Sequence, residues 1–146
     1  MMAVKSDKKE AMVGIVLVTH STFGASLLDA ATMVMGEQKN CLAVGVDVEK
    51  SVDETMEAVR KAIQTVETGK GVVALTDLFG GSPTTMSLSL MKSENLEVIT
   101  GVNLPMLVAT IQSRKMNLDA LAEAVKNAGR QGIKVAGAML RKKTKK

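Results

Sequence analysis

Short apolar runs alternate with segments of helical periodicity along most of this chain, and this alternation constrains the fold more than any other feature. The runs predict strands at residues 12–19, 41–47, 71–76 and 95–100. Strands that alternate with helices are joined by crossovers, which gives a mainly parallel sheet with helices on both faces. We therefore expect a small doubly wound, open-sheet α/β domain with strand order 2-1-3-4.

The segments between the runs have the spacing and the ends of helices. The second helix is the clearest, because apolar residues after Ser51 recur at steps of three and four. A third helix is predicted to begin at Ser82 as N-cap, with Pro83 in its first turn. Two further helices each follow an asparagine cap. The first helix is predicted over residues 23–35, with an apolar side formed by Phe23, Leu27, Ala31 and Val34.

The segment "IKVAGAML", residues 133–140, alternates weakly between apolar and other residues and predicts a last strand. It lacks a crossover helix long enough to fix its direction, which is left open. We assign residues 1–10 to a disordered N-terminal segment, residues 11–140 to a single domain and residues 141–146 to a basic tail.

The net charge of +4 has a local origin. The tail "RKKTKK" contributes five positive charges, whereas residues 11–140 carry eleven basic and thirteen acidic groups. Only two aromatic residues are present to stack on bases, and no basic stripe follows a helix. Nucleic-acid recognition therefore has no support in the folded part.

The single cysteine, Cys41, cannot form an intramolecular disulfide, and one histidine is too few for a zinc site. We expect Cys41 to be buried. No apolar segment approaches the roughly 18 residues of a membrane span, and no signal region is evident. The expected setting is therefore the cytoplasm, without membrane insertion.

The carboxyl ends of two predicted strands carry reactive side chains. His20, the only histidine, follows the first strand, and Asp77 follows the third. With the order 2-1-3-4 these strands are neighbours at the switch point, where ligands bind in such sheets. A carboxylate beside an imidazole accepts Nδ1–H and leaves Nε2 free as a nucleophile or base.

The residues around this pair suit a phosphoryl group. Helix N-termini favour anions, and Gly80 and Gly81 would allow the backbone to approach one closely. The hydroxyls of Thr19 and Ser82 are further donors, and Ser21 lies directly beside the histidine. The chemistry that these residue types favour is a phosphohistidine, which needs no metal or other cofactor.

The residues alone also allow purely structural roles. His20 could be a hydrogen-bonded structural residue, Asp77 could cap a loop, and "GGSP" could be an ordinary turn into a helix. Other chemistries are less well supported, because the chain lacks a dinucleotide fingerprint, a P-loop and a serine-hydrolase elbow. A phospho-acceptor receiver domain would need an acidic pair where the first strand ends in "VTHS".

At these residues the sequence resembles the enzyme IIA component of the mannose family of the bacterial phosphoenolpyruvate-dependent sugar phosphotransferase system. The resemblance covers about residues 12–136 and rests on three segments, "GIVLVTHSTFGASLLDAATMVMGEQ", "TDLFGGSP" and "EVITGVNLPMLVATI". It implies that His20 is phosphorylated by the phosphocarrier HPr and donates to a IIB component. Asp77 then matches the histidine partner, and Ser82 matches a serine near the phosphate.

The resemblance also implies a homodimer that exchanges a C-terminal strand, lying antiparallel at the partner's sheet edge. Because no IIB domain follows in this sequence, a separate IIB polypeptide is the expected acceptor. Three residues depart from the family pattern: Ser21 stands where many members have glycine, and Leu78 and Phe79 stand where others have threonine and tryptophan. Two alternative roles stay open, a regulatory module controlled by His20 phosphorylation and a phosphodonor subunit for dihydroxyacetone kinase.

Overall fold

The computed structural model describes residues 10–144, and its centre is a four-stranded parallel sheet. The strand order is β2-β1-β3-β4, which confirms the predicted fold class and order. The strands are β1 (Gly14–His20), β2 (Cys41–Val46), β3 (Val72–Thr76) and β4 (Leu96–Thr100). The predicted disordered segment at residues 1–10 lies outside the described residues except for Glu10.

Helices connect the strands and cover both faces of the sheet. They are α1 (Phe23–Met35), α2 (Val52–Val66), α3 (Ser82–Leu90), α4 (Leu104–Gln112), α5 (Leu118–Gln131) and α6 (Ala136–Thr144). Side-chain caps open three of them, because Ser51, Asn103 and Asn117 each accept a backbone N–H from the first turn. The N-cap of α3 is Gly81, so the prediction of Ser82 at that position is wrong by one residue.

The apolar core has two parts, one on each face of the sheet. Alternate residues of β1 separate into them, since Ile15 and Leu17 pack with α1, α4 and α5, whereas Val16 and Val18 pack with α2 and α3. Strands buried on both faces read as continuous apolar runs, which is why the runs were visible in the sequence.

The starts of β1 and β2 and the end of α4 are held together by one buried cation. Arg114 donates to the carbonyls of Val13, Lys39 and Asn40 at 2.9, 2.6 and 2.7 Å. Burial lowers the pKa of its guanidinium, and the nearby Cys41 acts in the opposite direction. Cys41 is buried as predicted, and that burial raises the pKa of its thiol to about 11, although Arg114 partly offsets the effect.

The segment after Gly132 requires a correction. Residues 136–140, predicted as part of a strand, lie in helix α6, which continues through residue 144 and buries none of its residues. The sheet therefore has four strands within the described part of the chain. The local reason is composition, because Ala, Met, Leu, Arg and Lys are strong helix formers. Exchange of this segment between subunits concerns a second chain and stays a prediction.

None of the helices within residues 10–144 combines the length and apolarity that crossing a membrane requires.

Candidate functional site

His20 and Asp77 meet at the carboxyl edge of the sheet, where β1 lies between β2 and β3. Val18 pairs with Thr76, so the residues that end the two strands emerge side by side. One carboxylate oxygen, Asp77 Oδ2, accepts the backbone N–H of His20 at 2.9 Å and contacts its ring Nδ1 at 2.8 Å. The predicted pair is thus in direct contact, at the switch point where α1 and α2 lie on opposite faces of the sheet.

The carboxylate is well suited to orient the ring. Partial burial alone would raise the pKa of Asp77, but the hydrogen bonds from the backbone and side chain of His20 outweigh it and hold the pKa below its ordinary value. The second oxygen, Oδ1, is buried and has no hydrogen-bond partner among the described residues. An ionised Asp77 selects the tautomer with the proton on Nδ1, which leaves Nε2 as the free nitrogen.

The imidazole is accessible from outside and confined from one side. The His20 side chain is 51% exposed, against 14% for Asp77. Gly81 packs against the ring edge: a Cβ built at this glycine would lie 3.0 Å from Cε1 and 3.5 Å from Nε2. Because Gly81 lacks a side chain, the loop after β3 can lie directly against the Cε1–Nε2 edge of the ring.

The hydroxyl of Thr19 lies inside the fold, where it bonds to the backbone. Thr19 is fully buried, its Oγ1 accepts the N–H of Gly24 at 2.7 Å, and its hydroxyl lies 3.3 Å from the carbonyl of His20. These bonds connect the end of β1 to the first turn of α1. A direct phosphate contact by Thr19 stays a prediction, and in the structure its hydroxyl holds the turn that carries His20.

Ser21 continues that turn in an uncommon backbone conformation. Its φ is +51°, the left-handed region that favours glycine, and its N–H donates to the carbonyl of Val46 at 3.0 Å. The turn lies so close to β2 that a Cβ at Gly45 would be 2.3 Å from the Ser21 carbonyl oxygen. The sequence analysis missed Gly45, although a glycine inside a strand signals a close backbone approach.

The loop between β3 and α3 brings Gly80, Gly81 and Ser82 to the same edge. Gly80 has φ +84°, and the Gly81 N–H donates to the Leu78 carbonyl at 3.2 Å. Ser82 is exposed at the first position of α3, where backbone N–H groups lack intrahelical partners. Thr84 holds this loop in place, because its Oγ1 donates to the Leu78 carbonyl at 2.7 Å. The sequence alone had not singled out Thr84.

A cavity of about 450 Å³ opens beside His20. It extends between α3 and the connection from β2 to α2, and Ser82 lies in its wall together with Val46, Asp47, Lys50 and Val52. Of the predicted site residues, the structure thus brings His20, Asp77, Gly81 and Ser82 together. Within residues 10–144, no group of three or more His, Cys, Asp or Glu side chains is placed to hold a metal ion.

Comparison with known families gives a match over residues 14–127. The matching family model is EIIA-man, described as the PTS system fructose IIA component, where PTS denotes the phosphotransferase system. The matched range includes both strands that carry the His20–Asp77 pair and all of the loop from β3 to α3.

Similar proteins have related names. The chain is 34% identical over 125 residues to the PTS system mannose-specific EIIAB component of Escherichia coli (strain K12), which covers 84% of this chain and 39% of that protein. It is 26% identical over 133 residues to the PTS system fructose-specific EIIA component of Bacillus subtilis (strain 168), covering 90% and 91%. The chain thus spans about two fifths of the length of the mannose-specific relatives.

Solved structures with the same fold cover nearly the whole chain. A phosphotransferase system component EIIA from Streptococcus agalactiae has a TM-score of 0.80 and 26% identity, covering 87% of this chain and 99% of that one. The PTS IIA protein associated with the fucose utilization operon of Streptococcus pneumoniae has a TM-score of 0.77 and 27% identity, covering 90% and 99%.

Proposed function

The chain belongs to the family of PTS fructose IIA components, and from this membership we propose that it carries phosphoryl groups in the bacterial sugar phosphotransferase system. In this proposal His20 accepts a phosphoryl group from HPr and passes it to a IIB component. The observation that carries the proposal is the half-exposed imidazole whose Nδ1 contacts Asp77 while Nε2 has no hydrogen bond to any of residues 10–144.

The proposed transfer is an in-line displacement at phosphorus. Nε2 of His20 donates its lone pair to form the new N–P bond, and the electron pair of the donor's N–P bond returns to the donor imidazole. Positive charge builds on the His20 ring as the bond forms. Asp77 stabilises this charge through Nδ1–H and keeps the ring oriented, the role that a carboxylate has beside a reactive histidine elsewhere.

The oxygens of the bound phosphoryl group need donors, and the first turn of α3 supplies them. Its N-terminus carries the positive end of the helix dipole and free N–H groups, and the Ser82 hydroxyl lies in the same cavity wall as His20. Gly80 and Gly81 allow that backbone to approach the group closely. We assign Ser21 to the rim of this site, with Thr19 supporting it from below.

We further propose that the protein acts without a metal or other cofactor, as a cytoplasmic homodimer that exchanges the segment after Gly132. The apolar residues Leu78 and Phe79 are exposed on the loop that borders His20, which supports a contact between this loop and HPr or IIB. In this proposal the sugar is determined by other components of the system.

The test is phosphorylation of the purified chain by phosphoenolpyruvate, enzyme I and HPr. We expect an acid-labile phosphate in the wild type that is missing from His20→Ala, and labelling that survives in His20→Ala would contradict the assignment. Adding a IIB component should discharge the label. Discharge by a dihydroxyacetone kinase subunit instead would identify the alternative acceptor.

Asp77→Asn tests the proposed role of the carboxylate. Loss of a charge-assisted hydrogen bond of about 1.5–3 kcal/mol should slow transfer roughly 10- to 100-fold. Asp29→Asn, at an exposed position of α1, is the matched control and should transfer at the wild-type rate. Equal rates in the two variants would remove Asp77 from the mechanism.

A further inference from the structure

A short chain of hydroxyl groups is buried beneath the loop that joins β3 to α3. Thr76, at the end of β3, is fully buried, and Thr84, in the first turn of α3, is 2% exposed. Their Oγ1 atoms lie 2.7 Å apart, and the Oγ1 of Thr100, at the end of β4, lies 3.5 Å from that of Thr84. Burying a hydroxyl costs free energy unless it is hydrogen-bonded, so the partners of these groups determine what they contribute.

The direction of these hydrogen bonds follows from the number of protons. Each threonine hydroxyl carries one proton, and a backbone carbonyl can only accept. The hydroxyl of Thr84 donates its proton to the Leu78 carbonyl at 2.7 Å, so the proton between Thr76 and Thr84 comes from Thr76. Thr84 thus accepts a hydrogen bond from the strand and donates one to the loop. A valine at this position could do neither.

The Leu78 carbonyl lies along the chain between the two residues through which this loop contacts the imidazole of His20. Leu78 directly follows Asp77, whose Oδ2 contacts the ring Nδ1 at 2.8 Å. The same carbonyl accepts the N–H of Gly81 at 3.2 Å, and Gly81 packs against the Cε1–Nε2 edge of the ring. A movement of the Leu78 carbonyl would therefore shift both contacts, and the hydrogen bond from Thr84 opposes that movement.

We propose that Thr84 is a positioning residue: its hydroxyl, acting through the Leu78 carbonyl, holds the ring of His20 in the orientation that phosphoryl transfer needs. The role of His20 is here the one given under the proposed function, on which this assignment rests. Thr84 acts through the loop, because its almost complete burial keeps it from contacting a partner protein. A ring whose orientation is fixed on folding loses less entropy when the donor binds, which lowers the barrier to transfer.

Thr84→Val separates this role from the packing of the side chain, because valine and threonine have nearly the same shape. A carbon atom and a carbonyl oxygen lie about 3.3–3.6 Å apart, against 2.7 Å for the present hydrogen bond, so the Leu78 carbonyl must move by roughly 0.6–0.9 Å. Misplacing a reacting group by about 1 Å costs on the order of 100-fold in rate. With part of the movement passed to the ring, we expect transfer about tenfold slower.

The test is rapid-quench phosphorylation of the full chain at a series of concentrations of phosphorylated HPr. In Thr84→Val the maximal rate should fall about tenfold, whereas the HPr concentration for half-maximal rate should stay within about twofold, because Thr84 is not on the surface. Thr84→Ser keeps the hydroxyl and should restore the rate. Thr84→Ala, which leaves space instead of a methyl group, should also be slow and replaces the valine variant if that one does not fold.

The matched control is Thr110→Val. Thr110 is fully buried and donates to the Met106 carbonyl at 2.7 Å, so the substitution removes a hydrogen bond of the same kind within α4. This variant should keep the wild-type maximal rate and the wild-type dependence on HPr.

A second measurement does not depend on phosphoryl transfer. His20 is the only histidine, so its ring nitrogens and its Cε1–H group give one set of imidazole signals in a nuclear magnetic resonance spectrum. These signals should shift in Thr84→Val, because the loop against the ring has moved. They should keep their wild-type positions in Thr84→Ser and Thr110→Val.

An unchanged maximal rate or unchanged ring signals in Thr84→Val would overturn the proposal. Equal slowing in Thr110→Val would overturn it as well, because any lost buried hydrogen bond would then have the same effect. Failure of Thr84→Ser to restore the rate would show that the hydroxyl is not the cause. A wild-type chain that accepts no phosphoryl group would contradict the proposed function instead, and the ring signals would still decide whether Thr84 positions His20.

Discussion

Replacing Gly81 by alanine tests whether the loop after β3 holds the imidazole of His20 in place. The new Cβ would lie 3.0 Å from Cε1 of the ring. Carbon atoms at their optimal separation are about 3.5–4.0 Å apart, so the ring must move by roughly half an ångström. The backbone of Gly81, with φ −81° and ψ 165°, accepts alanine without strain, which leaves the contact with the ring as the main new interaction.

The expected magnitude follows from this displacement. Misplacing a reacting group by about 1 Å costs on the order of 100-fold in rate. Half that shift predicts phosphoryl transfer about tenfold slower in Gly81→Ala, or about 1.4 kcal/mol in activation free energy. The Tm should change little, because the half-exposed ring can move outward without disturbing the core.

The assay is rapid-quench measurement of phosphohistidine formation from phosphorylated HPr. Gly36→Ala is the control, because Gly36 ends α1, has φ +84° and has no atom within 4 Å of the new Cβ. With ψ 173° this backbone conformation is one that essentially only glycine adopts, so alanine there costs about 1–3 kcal/mol, and this variant should lose roughly 3–12 °C in Tm and keep its transfer rate. A wild-type rate in Gly81→Ala would refute the idea that Gly81 positions the ring.

Three further outcomes are expected. The pKa of Asp77 is lowered in the folded chain, so its bonds to His20 contribute stability above about pH 4 that is lost as the pH falls through the folded pKa. Urea denaturation should therefore show a steeper loss of stability below about pH 4 in the wild type than in Asp77→Asn, and parallel pH profiles would contradict this. Ser21→Gly should raise the free energy of unfolding by up to about 1 kcal/mol by relieving the left-handed conformation, and no gain would mean that the serine hydroxyl stabilises the turn. Arg114→Lys should lower the free energy of unfolding by about 2–4 kcal/mol, because one ammonium group cannot reach three separate carbonyls. A loss below about 0.5 kcal/mol would show that the carbonyls find other donors.

The contact between His20 and Asp77 was predictable because it depends only on where two strands end and on the order of the strands in the sheet. Apolar runs fix where β1 and β3 end, and the sheet order makes those ends neighbours, so His20 and Asp77 must emerge together. The direction of Thr19 depends on the turn that follows the strand, and its hydroxyl bonds to Gly24, five residues along the chain. Such a local turn leaves no periodic signal in the sequence.

Helix α1 shows a second limit of prediction from the sequence. Its predicted apolar side included Phe23 and Val34, but both are exposed, whereas Gly24 and Ala31 are buried. Asp29 is the only charged residue of α1, so the helix is apolar on most sides and its spacing does not select one face. Contacts with the sheet and with α4 determine which side of α1 is buried, and these contacts involve residues distant in the sequence.

The placement of His20, the proposed nucleophile, depends mainly on residues that would not touch a phosphoryl group. A single oxygen, Asp77 Oδ2, binds both the backbone N–H and the ring of His20, so any movement of this carboxylate shifts the strand end and the imidazole together. Thr19 fixes the following turn to α1, and Gly45 lets that turn lie against β2. The conformational entropy of orienting the ring is thereby lost on folding, before a donor arrives. Substitutions at these supporting residues should therefore slow the proposed transfer by misplacing the ring, whereas only substitution of His20 would remove the proposed nucleophile itself.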